Sequence, residues 1–309
     1  MKKSIALVAL AFGVTNAFAQ DLTSKKGEPF LPEAGDYAVS IDATPFLNYA
    51  GNFFGKTANN SAPTWNFLNG NNTITGKYFK DATTAYRVGI RLGFGSTTDK
   101  RNVAALPTST VVAYPTLDAT AENVHKQSKT NVGISVGLEK RKGKTRLQGF
   151  YGADLGVYFG STKDKYTYGN ALAGNATAGS AVGVTAADDF GTGNVTATSL
   201  SNGQQGSARA TVMKSGATVS LGVRAFVGAE YFIAPKVSIG GEFGWGLGFS
   251  MTGKSKSTWE SVGLANGATN TTVGTTDVVG GKGSSFGLDT DGKNGVFGPS
   301  ASLRLNLHF

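Results

Sequence analysis

The side chains that could do chemistry are few and regularly placed. Asp42, Glu139, Asp154, Glu230 and Glu242 are carboxylates, and Lys77, Arg87, Arg91, Arg224 and Arg304 are cations. Each occupies an alternate position in a run of small and apolar residues. Paired carboxylates can divide general acid and general base work where their surroundings push their pKa values apart. Five acids set against five bases point elsewhere. A lone charge in a narrow protein interior costs on the order of several kcal/mol, so a near-equal balance is expected to form one mutually neutralising network.

The other reactive residue types are nearly absent. There is no cysteine, which excludes disulfides, zinc–cysteine sites, thiol catalysis and a lipid-modified cysteine. His125 and His308 are the two histidines, too few for a histidine-rich metal site, and neither stands beside a serine or aspartate motif. "GLGFS" and "GKGSS" are glycine-rich without Walker or Rossmann spacing. The sequon Asn175-Ala176-Thr177 is expected by chance in loops rich in Asn and Thr. No catalytic residue, metal or cofactor is therefore expected, and no enzyme activity. The net charge of +9 falls to +7 without Lys2 and Lys3. It is spread thinly, with no basic stripe interleaved with stacking aromatics, which argues against nucleic-acid binding.

The elements that must carry these charges alternate with period 2, the signature of half-buried strands. Tyr37, Val39, Ile41, Ala43, Pro45, Leu47 and Tyr49 form one apolar row. Ile74, Gly76 and Tyr78 form a weaker one. Tyr86 to Phe94, Val132 to Leu138, Leu147 to Phe159, Ala217 to Tyr231, Val237 to Met251 and Ala301 to Phe309 follow, for eight strands. Ten result if Val111-Val112-Ala113-Tyr114 or Val182-Gly183-Val184 belong to further strands. The connections alternate. Lys80 to Thr84, Arg141 to Lys144 and Ile233 to Lys236 are tight turns, whereas about 51–72, 98–127, 161–208 and 254–294 are long and rich in Ala, Thr, Ser, Gly and Asn.

The N-terminus reads as a secretory signal: Lys2 and Lys3, an apolar run from Ile5 to Val14, and Ala17-Phe18-Ala19 as a cleavage site. Residues 1–19 are assigned to that signal, 20–35 to a periplasmic leader and 36–309 to the strand domain. No remaining stretch is long and apolar enough for a membrane-crossing helix. A secreted β-sandwich would also alternate. Here, however, the rows persist for seven or eight alternate positions, enough for a tilted bilayer crossing. Their reverse face is glycine and serine with isolated charges, and aromatics fall near the row ends, as membrane girdles require. The fold expected is all-β: a closed antiparallel up-and-down transmembrane β-barrel, with both termini on the short-turn, periplasmic side.

With the signal, the strand rows and the ending "ASLRLNLHF" in view, the chain resembles small Gram-negative outer-membrane barrels of the OmpA/OmpX-like type. Its loops resemble those of porin-family barrels common in Bacteroidota. The resemblance implies that Leu303, Leu305, Leu307 and Phe309 act as an insertion signal read by outer-membrane assembly machinery.

An eight-stranded interior is about wide enough for side chains to fill, so a plugged lumen is expected. Gly93, Gly95, Gly133, Gly244, Gly246 and Gly248 either line a small vestibule or make room for Phe46, Tyr158 and loop side chains. Lys140, Arg141, Lys142, Lys144 and Arg146 crowd one short turn, either gripping anionic headgroups or forming a solvated hairpin. The function expected is a non-enzymatic structural or interaction barrel of the outer membrane, touching lipids, lipopolysaccharide or another outer-membrane protein. The alternatives are a narrow porin or solute carrier, and an accessory subunit of a larger outer-membrane complex.

Overall fold

The computed structural model describes residues 22–56, 60, 62, 73–105, 120–177, 180–184, 190, 195–196, 207–264, 271–288 and 301–309. The expected signal peptide and Val111–Tyr114 lie outside them. The chain is an all-β, antiparallel protein. In chain order it forms β1 (Tyr37–Asp42), α1 (Thr44–Phe54), β2 (Ile74–Asp81), β3 (Thr84–Ala104), β4 (Thr120–Lys142), β5 (Leu147–Thr167), β6 (Ala173–Thr177), β7 (Ser180–Val184) and β8 (Val195–Thr196). Then come β9 (Ser207–Lys214), β10 (Thr218–Ala234), β11 (Val237–Thr252), β12 (Lys256–Leu264), β13 (Thr271–Val279), β14 (Gly283–Leu288) and β15 (Ala301–His308).

Eight of these strands pair in a ring: β1, β2, β3, β4, β5, β10, β11, β15 and back to β1. They are the eight that carry the apolar rows. The first and last strands meet with Ala38 opposite His308 and Asp42 opposite Arg304. Tyr37 and Phe309 exchange backbone hydrogen bonds of 2.8 and 2.9 Å.

Register aligns the two faces around the ring. One outward row runs Val88, Val136, Leu155, Val223, Leu247 across β3, β4, β5, β10 and β11. The inward row beside it runs Arg87, Gly137, Asp154, Arg224, Gly246. Glycines thus interrupt the charged groups along this row and leave room for them. A Cβ on Gly137 would collide with the Asp154 carboxylate, and one on Gly244 would lie 2.5 Å from Arg224 Nε.

The short-turn end is built tightly. Asp81 accepts from the Thr83 backbone N–H and hydroxyl at 2.8 and 2.6 Å, and Gly143 takes a positive φ in the β4–β5 turn. The leader folds across this end. Phe30 is buried under the Arg146 guanidinium, 3.6 Å from its ring centroid, and Asp36 pairs with Lys236.

Two expectations need correction. The row continuing to Tyr49 breaks at Ala43, where α1 begins. Pro45 sits in the first helical turn, where its missing N–H costs nothing, and the Asp42 carboxylate accepts from the Thr44 N–H at 2.9 Å. The long connections are also not loops throughout. β3, β4 and β5 run well past Phe94, Val132 and Phe159, and β5 exchanges its partner β10 for β9 at Lys163. β9, β12 and β13 extend this sheet beyond the ring. Val182-Gly183-Val184 lies in β7, which pairs with β6 in a separate two-stranded sheet.

Candidate functional site

The inward side chains of the ring form two tiers. In the tier nearer the short turns, Glu139 is 0 % and Glu230 1 % exposed. Glu139 accepts from Lys77 Nζ at 2.8 Å and from Arg141 Nη1 at 2.9 Å. Glu230 accepts from Arg141 Nη2, from Ser238 Oγ at 3.0 Å and from Asn306 Nδ2 at 2.7 Å. His308 lies between the Phe79 and Phe232 rings, with centroids 5.4 and 5.2 Å away. In the second tier, Glu242 accepts from Arg224 Nη1 at 2.6 Å, Arg87 Nη2 at 3.0 Å and Arg304 Nη2 at 3.3 Å. Arg304 also donates to Thr75 Oγ1 at 3.2 Å. Asp154 stands 3.6 Å from Arg87 Nε and 3.8 Å from Arg224 Nη1. Arg87, 3.5 Å from Glu139, joins the tiers.

Of the ten expected members, Lys77, Arg87, Glu139, Asp154, Arg224, Glu230, Glu242 and Arg304 are brought together. Arg91 is buried higher up, over the Tyr158 ring at 5.4 Å. Asp42 is half-buried at the end of β1, where it holds the start of α1.

One assignment is corrected. Arg141 does not belong with the turn cations. It follows Glu139 by two residues, faces inward, is buried and bridges Glu139 to Glu230. Arg146 is half-buried over Phe30. Lys140, Lys142 and Lys144 are exposed, Lys140 donating to Thr84 Oγ1 at 2.8 Å.

Little space remains among the ions. A cavity of about 10 Å3 lies between Thr75, Arg87, Ser135, Asp154, Arg224 and Arg304, room for about one water molecule. Above it, Gly244 is covered by the Arg224 guanidinium, and Gly133 lies against Arg91 and Tyr158. The Tyr158 hydroxyl donates to Asn131 Oδ1 at 2.6 Å. These two glycines make room for side chains, and Phe46 is exposed on α1. Chemically, the tiers hold charge in place. Ser238 Oγ lies 3.5 Å from His308 Nε2 but donates to Glu230 at 3.0 Å, and among the described residues no acid accepts from His308 Nδ1, so the serine has no base oriented to activate it.

The outward face is the reverse. Tyr86, Val88, Ile90, Leu92 and Phe94 on β3 are all exposed, Leu92 by 56 % and Phe94 by 69 %, and every ring strand presents similar residues. Tyr37, Tyr78 and Tyr86 lie side by side near the short turns, with neighbouring ring centroids 5.2 and 6.5 Å apart. Of the ending, Leu303, Leu307 and Phe309 are exposed and Leu305 is half-exposed on this face.

The chain matches no family model and no curated protein. Among solved structures, it is similar to a major outer membrane protein from Thermus thermophilus. The two are 12 % identical with a TM-score of 0.25, over 89 % of this chain and 98 % of that one. At that score the likeness carries no argument, and the reading below rests on this chain's own geometry.

A second cluster is not legible in the sequence. Beyond the ring, the His125 imidazole stacks on Tyr166 at 4.5 Å and 6°. It is also 2.9 Å from Asp164, which accepts from Gln127 Nε2 at 2.8 Å. Farther along, Arg209 pairs with Glu260 beside Tyr168. The available signal is the alternation of Tyr166 and Tyr168 among Lys and Thr, which resembles ordinary surface strand.

Proposed function

We propose that this chain is an integral outer-membrane β-barrel. Its eight ring strands cross the bilayer, its short turns and both termini face the periplasm, and its long connections project outward. The observation that carries this reading is the exposed apolar belt around the whole ring. In water, an apolar surface of that extent marks an interface or an aggregation site, while acyl chains solvate it without cost. From Tyr86 to Phe94 the chain climbs eight residues. At ~3.3 Å each and a tilt near 40° this covers roughly 20 Å, close to the apolar height of such barrels. Tyrosines at one margin and Phe94, Phe159 and Phe249 at the other fit the two aromatic girdles.

The interior argues against a porin. Three guanidiniums sharing one carboxylate leave a hole of one water's size, so the barrel is a sealed wall and its role is structural or interactive, without catalysis. Lys140, Lys142 and Lys144 are placed to meet anionic headgroups of the inner leaflet. Lipopolysaccharide and neighbouring outer-membrane proteins are the partners the outer surface would meet. The alternating apolar residues Leu303, Leu305, Leu307 and Phe309 form the segment that assembly machinery would read.

Membrane fractionation followed by a heat-modifiability gel tests location and closure together. The folded protein should partition with the outer membrane and migrate faster unboiled than boiled. Recovery as a soluble, monodisperse protein without detergent would sink the reading. In planar bilayers the sealed barrel should give no steady, large single-channel current.

A further inference from the structure

The cluster beyond the ring differs from the interior network in having space beside it. A groove of about 500 Å3 is bounded by Tyr168, Asn170, Arg209, Thr211, Glu260 and Val273, within the ~300–1,000 Å3 of small-molecule sites. Its polar groups are fixed in advance. Arg209 donates from Nε to Glu260 and from Nη2 to the Asn170 carbonyl at 2.8 Å. Its guanidinium lies 4.1 Å from the Tyr168 ring centroid. The Tyr168 hydroxyl donates to the Ala210 carbonyl at 2.7 Å, and the Gly169 N–H to Asn123 Oδ1 at 3.0 Å. The Thr211 hydroxyl donates to the Thr258 carbonyl at 3.1 Å, which leaves its oxygen able to accept.

The chemistry narrows the ligand. Among the described residues lining the groove, Arg209 is the one cation and Glu260 the one anion, and they are paired. A phosphate or carboxylate ligand would need an uncompensated guanidinium. A fully apolar ligand would desolvate the ion pair without replacing its hydrogen bonds. What fits is an uncharged molecule with one apolar face and many hydroxyls. We infer that the groove binds a neutral saccharide. Its C–H face lies against the tyrosine and Val273, and its hydroxyls exchange hydrogen bonds with Glu260, Thr211 and Asn170. The inference goes beyond the membrane reading and stands on the groove alone.

Isothermal titration of the purified full chain in detergent micelles tests it. The probes are maltotriose, cellotriose, mannotriose and galactotriose, with trigalacturonate and inorganic phosphate as charged comparisons. At least one neutral trisaccharide should bind saturably, and neither charged probe should. Tyr168→Ala should weaken binding at least tenfold. Val273→Trp, which fills the groove from an exposed position and leaves the ion pair intact, should abolish it with the heat-modifiable shift retained. Saturable binding of the charged probes alone, no binding by any of the four neutral ones, or unchanged affinity in Val273→Trp would overturn the inference. Binding is read apart from membrane location, so its failure and that of the barrel reading are distinguishable.

Discussion

Arg224–Glu242 and Arg209–Glu260 join the same two side chains in different settings. Inside the ring, the Glu242 carboxylate is shared among three guanidiniums, and Gly244 lets Arg224 lie flat against the wall. Beyond the ring, Glu260 has one cation among the described residues, Arg209. Their side chains are 21 % and 7 % exposed, and a groove opens beside them. The difference is one of valency and free volume, not of residue type. An ion shared several ways with no space around it is a structural seal. An ion pair matched one to one, with an aromatic ring on one side and solvent on the other, is a preformed recognition surface.

The most severe test of that contrast is Glu242→Leu. Among the described residues it leaves Arg224 and Arg304 with Asp154 as their nearby carboxylate, and Arg87 with Asp154 and the more distant Glu139. Breaking a buried pair by removing one partner costs about 3–5 kcal/mol. Urea unfolding in lipid vesicles, followed by the heat-modifiable gel shift, should lose most of its transition. A midpoint close to wild type would show that the tier is not under this constraint.

Leu155→Arg moves the comparison from inside to outside on one strand. Leu155 neighbours Asp154 in sequence but faces outward in the row with Val136 and Val223. On the proposed membrane reading this face meets acyl chains, and a cation at the midplane of a transmembrane β-barrel costs about 2–4 kcal/mol. The same unfolding assay should show that loss in vesicles. An equal loss in a detergent-free aqueous buffer, where arginine is well solvated, would point to a second sheet covering this face.

Glu260→Leu should be milder, about 1–2 kcal/mol. Arg209 keeps its bond to Asn170 and its place over Tyr168 and can draw water from the groove. The gel shift should survive, in contrast to Glu242→Leu. Equal destabilisation by the two substitutions would erase the distinction between seal and surface.

What can be read from the sequence follows the same division. Where the two faces of a strand meet different media, period 2 is plain, and the eight rows from Tyr37 to Phe309 mark the ring strands. Where both faces are polar, as in "STKDKYT" of β5 or "SARATVMK" of β9, alternation carries no contrast, and the segments read as loop. The groove is hidden for that reason, and also because Tyr168, Arg209 and Glu260 come from three separate stretches of chain. At α1, Phe46, Leu47, Tyr49 and Phe53 satisfy a helical spacing as well as the start of an alternating one, and Pro45 is the deciding signal. Arg141 is legible in principle. It has the parity of Glu139, and a turn that begins at Arg141 begins two residues too early, since β4 runs to Lys142.

The smallest effect belongs to the clasp that ties the leader to the ring, which lies outside the membrane-spanning strands of the proposed barrel and senses pH. Partial burial pulls the Asp36 carboxyl upward. The hydrogen bond from Lys236, the Glu33 N–H and the Lys236 charge outweigh that, so its pKa falls below the ordinary 3.8. The folded protein therefore binds this proton less readily than the unfolded chain. The stabilisation is full above about pH 3.8 and drains away as pH falls through that value and on to the lower folded one. A partly solvated pair of this kind contributes about 0.2–1 kcal/mol. Asp36→Asn should therefore cost that much at pH 7 and nothing at low pH, where the native carboxyl is already neutral. The curves of unfolding midpoint against pH for the two proteins should converge on acidification. Parallel curves would mean that Lys236 and Asp36 are near each other without a working interaction, and that the leader is held by Phe30 beneath Arg146 and by the backbone hydrogen bonds of Gly35 and Asp36 with Phe79 and of Lys236 with Phe30.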